Sequence, residues 1–323
     1  MLAVLQTQAG DASTLYLGET ARPQPGPGQL LLRVHAVGIN RADIVQREGR
    51  YPAPAGASPL LGLEVSGEVV EVGAGVSGFA PGEAVFGLVG GGGYAEYAML
   101  DASCALRKPD NLSHAEAASL PEAWMTAWFN LIELGQLKAN EQVLIHAGAS
   151  GVGAAAIQLA RLHGAQVACT VGSAAKAAFC RGLGAQRAIE YHRQDFACEL
   201  KAQGGVDLIL DCVGARYLDA NLHSLRSDGR LIVIGLMGGA NAPLDLGRLL
   251  VKRLSLRGST LRAQPEAVKA RLSTALRDTI VPALAKGQLK LTLDRTFPLA
   301  EVRAAHAWLE GNHNLGKLVL TLA

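Results

Sequence analysis

Residues 141–164 read EQVLIHAGASGVGAAAIQLARLHG, and the parsing of the whole chain turns on them. The stretch opens on a continuous apolar run, crosses a band of small residues, and ends in a helical pattern closed by Gly164. A backbone stripped of side chains between a buried strand and a helix is suited to close approach by a phosphate. The N–H groups at the start of the helix then face the anion. Gly148 suits the tight turn, Gly153 lets the helix pack on the sheet, and Ala154–Ala156 keep the packing face slim. Ser150 stands at the middle position of a Gly-x-Gly-x-x-Gly pattern, with Gly151 beside it, and its hydroxyl can donate to a phosphate oxygen.

Working outward toward the C-terminus, AQVACTVG, AAKAAFCRGLG, AQRAIEY, VDLILDCVG, YLDANLHSLRSDG and RLIVIGL alternate apolar strands with amphipathic helices. That alternation predicts a doubly wound parallel sheet in an α/β fold. Enzymes that bind NAD carry an acidic residue about 20 residues beyond the turn, where it holds the adenosine ribose. Here the corresponding stretch is CTVGSAAK, with Gly172 and Ser173 at the strand end and Lys176 just beyond. No carboxylate repels a 2′-phosphate there, and a hydroxyl with an ammonium suits one. Taken singly, Ser173 reads equally well as a helix cap and Lys176 as a solvated lysine. Together, with the acid missing, they favour NADPH.

Toward the N-terminus, up to about residue 120, the chain is rich in β-branched residues and Gly/Pro turns. It predicts a small barrel or a pair of curled sheets, with Gly90–Gly93 as a sharp turn. Pro121 suits the first turn of a linking helix, and from about residue 267 a helical pattern gives way to strands in KLTLDRTF and GKLVLTL. Segments 1–121 and 267–323 are expected to form one catalytic domain around a cofactor domain at 122–266. The 323 residues carry 30 basic and 28 acidic side chains, a net charge of +2 that is too balanced to point to nucleic acid or an anionic membrane. Lys252, Arg253 and Arg257, the tightest basic patch, read as a solvated face. No export signal or membrane span is apparent. Five cysteines without a CxxC pair fit reduced thiols in a cytoplasmic protein better than a disulfide or metal framework. His146 reads as structural; His306 and His313 are expected at the surface.

The sequence resembles the medium-chain dehydrogenase/reductase superfamily over essentially its whole length. The matching stretches are NRADIVQREGRY, GLEVSGEV, GGGGYAEY, LPEAWMTAW, LIHAGASGVG, LILDCVG, IGLMGG and GSTLR. Within the superfamily it is similar to the zinc-lacking quinone oxidoreductases that include zeta-crystallin, nearest the tumour-suppressor-induced NADPH quinone oxidoreductase subgroup. The resemblance implies a GroES-like β-barrel-type catalytic domain beside a Rossmann doubly wound parallel sheet. In the zinc-dependent members a histidine stands where this chain has Leu63 in GLE, and the expected cysteine is replaced near Asn40. Leu cannot ligate zinc and Glu64 alone is not a site, so no metal is expected.

Carried over residue by residue, the resemblance implies that Asn40 and Tyr51 line the nicotinamide and substrate cleft and that Thr126 lies near the nicotinamide. Ser150, Gly151, Val152 and Gly153 match its pyrophosphate turn, and Ser173, Lys176 and Tyr191 its adenosine 2′-phosphate and adenine surroundings. Gly235, Leu236, Leu261 and Lys317 match later cofactor contacts. Each of these side chains also has a plainer reading. Tyr51 would pack on Pro52 and Pro54, Asn40 would serve a turn, Thr126 would bond its own helix, and Lys317 would be solvated. The expected activity is reduction of a quinone by NADPH, with reduction of an enone or enoyl substrate as the close alternative. A non-catalytic NADPH-binding protein is the third. A homodimer is expected from the superfamily alone.

Overall fold

The computed structural model describes residues 1–322. The chain divides into two compact units: Met1–Met125 with Arg262–Lys286 and the chain from Leu291 onward, and Thr126–Leu261 with Gly287–Lys290.

The first unit contains β1 (Leu2–Gln6), β2 (Leu15–Glu19), β3 (Gln29–Ile39), β4 (Glu64–Val72), β5 (Ala84–Leu88), β6 (Tyr97–Asp101) and β7 (Ala105–Arg107). After the six strands of the second unit, it is completed by β14 (Leu293–Pro298) and β15 (Lys317–Thr321). β1 and β2 form an antiparallel pair. The other seven make one sheet in the order β14-β15-β3-β4-β5-β7, with β6 paired to β3. Only β14–β15 is a parallel pair. Two register shifts between β3 and β4 add local twist and curl the sheet, the barrel-type form that the many short turns predicted. Its core gathers Leu30, Leu32, Val34, Val65, Val85, Leu100, Leu318 and Leu320. The helix Val302–Glu310 closes one side with Val302 and Ala305. His306 on the same helix is fully buried, not at the surface, because its ring nitrogens are needed inside: Arg47 and Tyr94 hydrogen-bond them.

The second unit is an all-parallel sheet of β8 (Gln142–Ile145), β9 (Gln166–Val171), β10 (Arg187–Glu190), β11 (Val206–Asp211), β12 (Leu225–Val233) and β13 (Ser255–Gly258). The order β10-β9-β8-β11-β12-β13 reverses direction between β8 and β11, the doubly wound arrangement expected from the alternation. Val143, Leu144, Ile145, Leu208 and Ile209 are wholly buried, as they are on strands covered on both faces. Burial of each such side chain is worth about 1.5–3 kcal/mol. The edge strand β13 is exposed along its length. Lys252 is not part of a solvated face. Its ammonium donates to the carbonyls of Leu222, His223 and Leu225, capping the end of the helix Leu218–Ser224.

All five cysteines are free thiols. Among the described residues no helix is long and apolar enough to cross a membrane.

Candidate functional site

The turn after β8 is built by backbone constraints. Ala147 takes a positive φ of 51°, and the N–H of Ser150 closes the turn on its carbonyl at 2.9 Å. A Cβ on Gly153 would stand 2.3 Å from that same carbonyl oxygen. A Cβ on Gly148 would stand 2.8 Å from the Cys169 sulfur and 3.1 Å from that of Cys180. Neither position tolerates a side chain without moving backbone or core. Ser150 is the N-cap of the helix Gly151–Leu162, its Oγ accepting from the Gly153 N–H at 3.0 Å. The N–H groups of Gly151 and Val152 thus open the helix at its positive end. Gly148, Ser150, Gly151, Val152 and Gly153 thus form one turn, packed too closely at its two outer glycines for a side chain and opening on the N-terminus of a helix, which fits a pyrophosphate.

Ser173 follows β9 and caps the helix Ala174–Gly182, accepting from the Lys176 N–H at 3.3 Å. The cap uses an oxygen lone pair and leaves the hydroxyl hydrogen to donate. Tyr191 follows β10, and its phenol lies over Gly172, 2.8 Å from where a Cβ would be. Ser173 and Tyr191 are therefore brought together at the ends of adjacent strands. Gly235 follows β12 with its Cα face against Cys212, Leu236 is exposed, and Leu261 is buried. Thr126 is buried in the helix Pro121–Trp128, its carbonyl accepting from Asn130 Nδ2.

The chain Thr170–His146–Asn221–Asp211 ties the ends of β9, β8 and β11 to the helix Leu218–Ser224. Asn221 Oδ1 can only accept, so His146 donates through Nε2 at 2.7 Å and accepts from the Thr170 hydroxyl at Nδ1, 2.9 Å away. Asn221 Nδ2 donates to Asp211. Burial holds His146 neutral, its pKa lowered to about 4. It is structural, as read from the sequence.

In the first unit Asn40 ends β3 and precedes the helix Arg41–Arg47, while Asp43 accepts from the N–H groups of Asn40 and Gly62. Asn40 Nδ2 donates to Glu64 Oε1 at 2.9 Å. Lys317 donates to Glu64 Oε1 at 2.6 Å, Asn40 Oδ1 at 2.7 Å and the Ile39 carbonyl at 2.9 Å. All three N–H donors of the ammonium are committed. The reading of Lys317 as a solvated lysine gives way to a buried counter-cation, 4% exposed. Glu64 Oε2 accepts from the Glu122 N–H at 2.8 Å, fastening the linking helix to β4. Asn40 is thus more than a turn residue, since both ends of its amide are engaged.

Tyr51 is half-buried, with the Arg262 guanidinium 5.6 Å from its ring centre. Arg262 donates to the Gly90 carbonyl and to Gln46 Oε1. Burial raises the Tyr51 phenol's pKa, and the nearby Glu122 raises it further. Burial also pushes Asp43 up to about 6 and Glu122 up to about 8, the latter helped by the charge of Glu64. Asp43, Glu122 and Arg262 were missed in the sequence. LPEAW and STLR contain two of them, yet no spacing marks either as chemistry.

Behind Asp43 runs a second buried chain. Arg47 donates to His306 Nδ1 at 3.2 Å, which requires a proton on Nε2, and that N–H reaches the Tyr94 hydroxyl at 3.1 Å. Burial raises the Tyr94 phenol's pKa, and the nearby Asp43 raises it further.

Two family models match the chain: "Alcohol dehydrogenase GroES-like domain" over residues 26–110 and "Zinc-binding dehydrogenase" over residues 151–277. A mycobacterial protein solved as its NADPH complex is 30% identical, with a TM-score of 0.91 over 100% of both chains. The Escherichia coli quinone oxidoreductase, also complexed with NADPH, is 28% identical, with a TM-score of 0.90 over 100% of both chains. The CurK enoyl reductase is 27% identical, with a TM-score of 0.87 over 100% of this chain and 99% of that one. Among curated proteins, a mycocerosic acid synthase-like polyketide synthase of Mycobacterium tuberculosis is 35% identical over 319 residues. That match takes in 96% of this chain but only 15% of the synthase.

Zinc, named in one description, does not fit the residues at hand. Leu63 offers no donor, Glu64 is committed to Lys317, Asn40 and the Glu122 N–H, and no group of three or more His, Cys, Asp or Glu residues placed to hold a metal occurs among the described residues.

Lys317→Met should lower unfolding free energy by about 3–5 kcal/mol in urea, because Glu64 is left charged and unpaired. Adding Glu64→Gln should recover part of the loss. A change under about 1 kcal/mol would show that the cluster behaves like a surface ion pair.

Proposed function

We propose that this chain, which belongs to the medium-chain dehydrogenase/reductase superfamily, is an NADPH-dependent, metal-independent reductase of an alkene conjugated with a carbonyl, such as an enone or enoyl thioester. The observation that carries this is the Lys317–Glu64–Asn40 cluster with Leu63 beside it. An alcohol must be deprotonated before it gives up hydride, work that zinc performs elsewhere. A conjugated carbonyl accepts hydride without that help. Reduction of a quinone is the second reading, favoured by the likeness to the Escherichia coli quinone oxidoreductase.

Bound NADPH supplies the hydride. Segments 122–266 serve as its domain, and segments 1–121 and 267–323 as the catalytic domain. The Gly151 and Val152 N–H groups bind the pyrophosphate in the turn shaped by Gly148, Ser150 and Gly153. Ser173 and Lys176 take the 2′-phosphate, and Tyr191 borders the adenine. Thr126, Gly235, Leu236 and Leu261 contribute along the rest of the cofactor. Tyr51 donates to the acceptor oxygen as charge develops there, while Asn40 holds the end of β3 through Glu64 and Lys317. A second copy of the chain is the partner that suits the exposed edge β13, since an unpaired edge is a template for another strand. Free thiols suit a cytoplasmic location.

Ser173→Ala with Lys176→Ala should weaken NADPH binding about 10- to 100-fold, the loss of one or two charge-assisted hydrogen bonds, and leave NADH nearly unchanged. Equal weakening of both would remove the 2′-phosphate assignment. With NADPH in excess, a trans-2-enoyl thioester should be converted to its saturated product, detected by NMR, faster than an ortho-quinone is reduced. The reverse order makes the quinone reading the better one, and tight NADPH binding without turnover supports a non-catalytic role. Sedimentation equilibrium should give twice the 33.6 kDa of one chain; a monomer would leave β13 without its partner.

A further inference from the structure

Four neighbouring strands of the second unit begin at, or just after, a glutamine. EQV, AQV, AQR and AQG place Gln142 first in β8, Gln166 first in β9, Gln186 immediately before β10 and Gln203 in the turn before β11. These strands are adjacent in the order β10-β9-β8-β11 and all run parallel, so the four glutamines meet along one edge of the sheet. It is the edge opposite the turn after β8, since β8 runs from Gln142 to Ile145 and the turn follows.

Along that edge lies a cavity of about 220 Å³, lined by the four glutamines together with Arg187 and Arg226. Its floor is apolar, formed by Ala168, Leu200 and Val206 from the core of the unit. Arg226 is preset: Nε donates to the Gly204 carbonyl and Nη1 to Asp207 Oδ2, both at 2.9 Å, and Nη2 is left to donate. The same Asp207 oxygen takes the Gln142 N–H at 2.7 Å. Gln186 Oε1 accepts from the Val167 N–H at 2.5 Å, which leaves its Nε2 donors to spare. No Asp or Glu lines the cavity. Asp207 offsets the charge of Arg226 from outside the lining, while Arg187 makes no ion pair among the described residues.

Primary amides offer donors and acceptors alike, so the arginines decide the sign of what fits. A guanidinium binds a carboxylate through charge-assisted hydrogen bonds. The volume falls below the roughly 300 Å³ at which pockets hold drug-sized ligands, so the occupant is small. We propose that this cavity binds a small organic anion, a carboxylate on a short apolar body. Arg187 and Nη2 of Arg226 take the carboxylate, the glutamine amides complete its hydrogen bonds, and the body rests on Ala168, Leu200 and Val206. The site lies wholly within the second unit and needs neither the cofactor nor the reduction.

Benzoate titrated into the ¹⁵N-labelled chain should shift the side-chain amide signals of Gln142, Gln166, Gln186 and Gln203 in NMR spectra, with a Kd on the order of 1 mM for so small a ligand. Benzylammonium, a similar ring of opposite charge, should leave those signals in place. Arg187→Gln combined with Gln203→Glu removes a positive charge and adds a negative one at two exposed side chains, positions where the fold tolerates change. The pair should weaken benzoate about 10-fold or more, whereas Arg187→Lys should keep most of the affinity. Signals unmoved by benzoate, or moved equally by benzylammonium, overturn the assignment. So does a double variant that binds benzoate as tightly as the wild type. Each of these outcomes leaves the functional reading standing, because no turnover enters the measurement.

Discussion

A buried ammonium organises the first unit. Lys317 begins β15, whose next residue, Leu318, pairs with Ile39 of β3, so the side chain reaches the end of β3 and the start of β4 together. Removing an ammonium and a carboxylate from water costs several kcal/mol per ion unless geometry and further hydrogen bonds compensate. Here every donor of Lys317 has an acceptor, and Glu64 takes two further N–H groups, from Asn40 and Glu122. Glu64 can lie there only because residue 38 is glycine: a Cβ would stand 2.1 Å from its Oε1. The ends of three strands and the start of the linking helix therefore share one polar knot. Its specificity comes from saturation, since a single missing partner would leave a charge stranded in the core.

The same knot occupies the carboxylate that a metal would need in a fold matched by a zinc-binding family model. The carboxylate retained in GLE is neutralised by a side chain of the protein itself, and the neighbouring position is apolar. Positive charge remains in the region, but as a saturated ammonium it has no open position from which to polarise a substrate. Tyr51 and Glu122 lie around that region as groups able to keep their protons at neutral pH.

The second unit relies on a different physics. The turn after β8 has no charged side chain of its own; its character comes from aligned N–H groups at the start of a helix and from two glycines that keep the backbone close. Rigidity comes from beneath, where Thr170, His146, Asn221 and Asp211 are joined in one hydrogen-bonded chain with His146 held neutral by burial. A turn made of backbone needs such a support, because no side chain can adjust to correct its displacement.

What could be read from the sequence was local. The apolar run, small-residue turn and helix of 141–164 declare their structure within one stretch, because strand burial, φ preference and helix capping act over a few residues. The alternation that follows fixed the parallel sheet, and the absence of an acid near Ser173 was legible for the same reason. Tertiary structure decided what depends on distant partners. Lys317 meets Glu64 across 253 positions and Asn40 across 277, so nothing near it in the chain marks it as a buried cation. His306 was expected at the surface, yet it is held inside by Arg47, 259 positions away. Glu122 looks in sequence like an ordinary acidic residue in a first helical turn. Its proton is retained only because folding places it among Glu64, Asp43 and apolar walls, and desolvation is a property of the packed neighbourhood that no local pattern records.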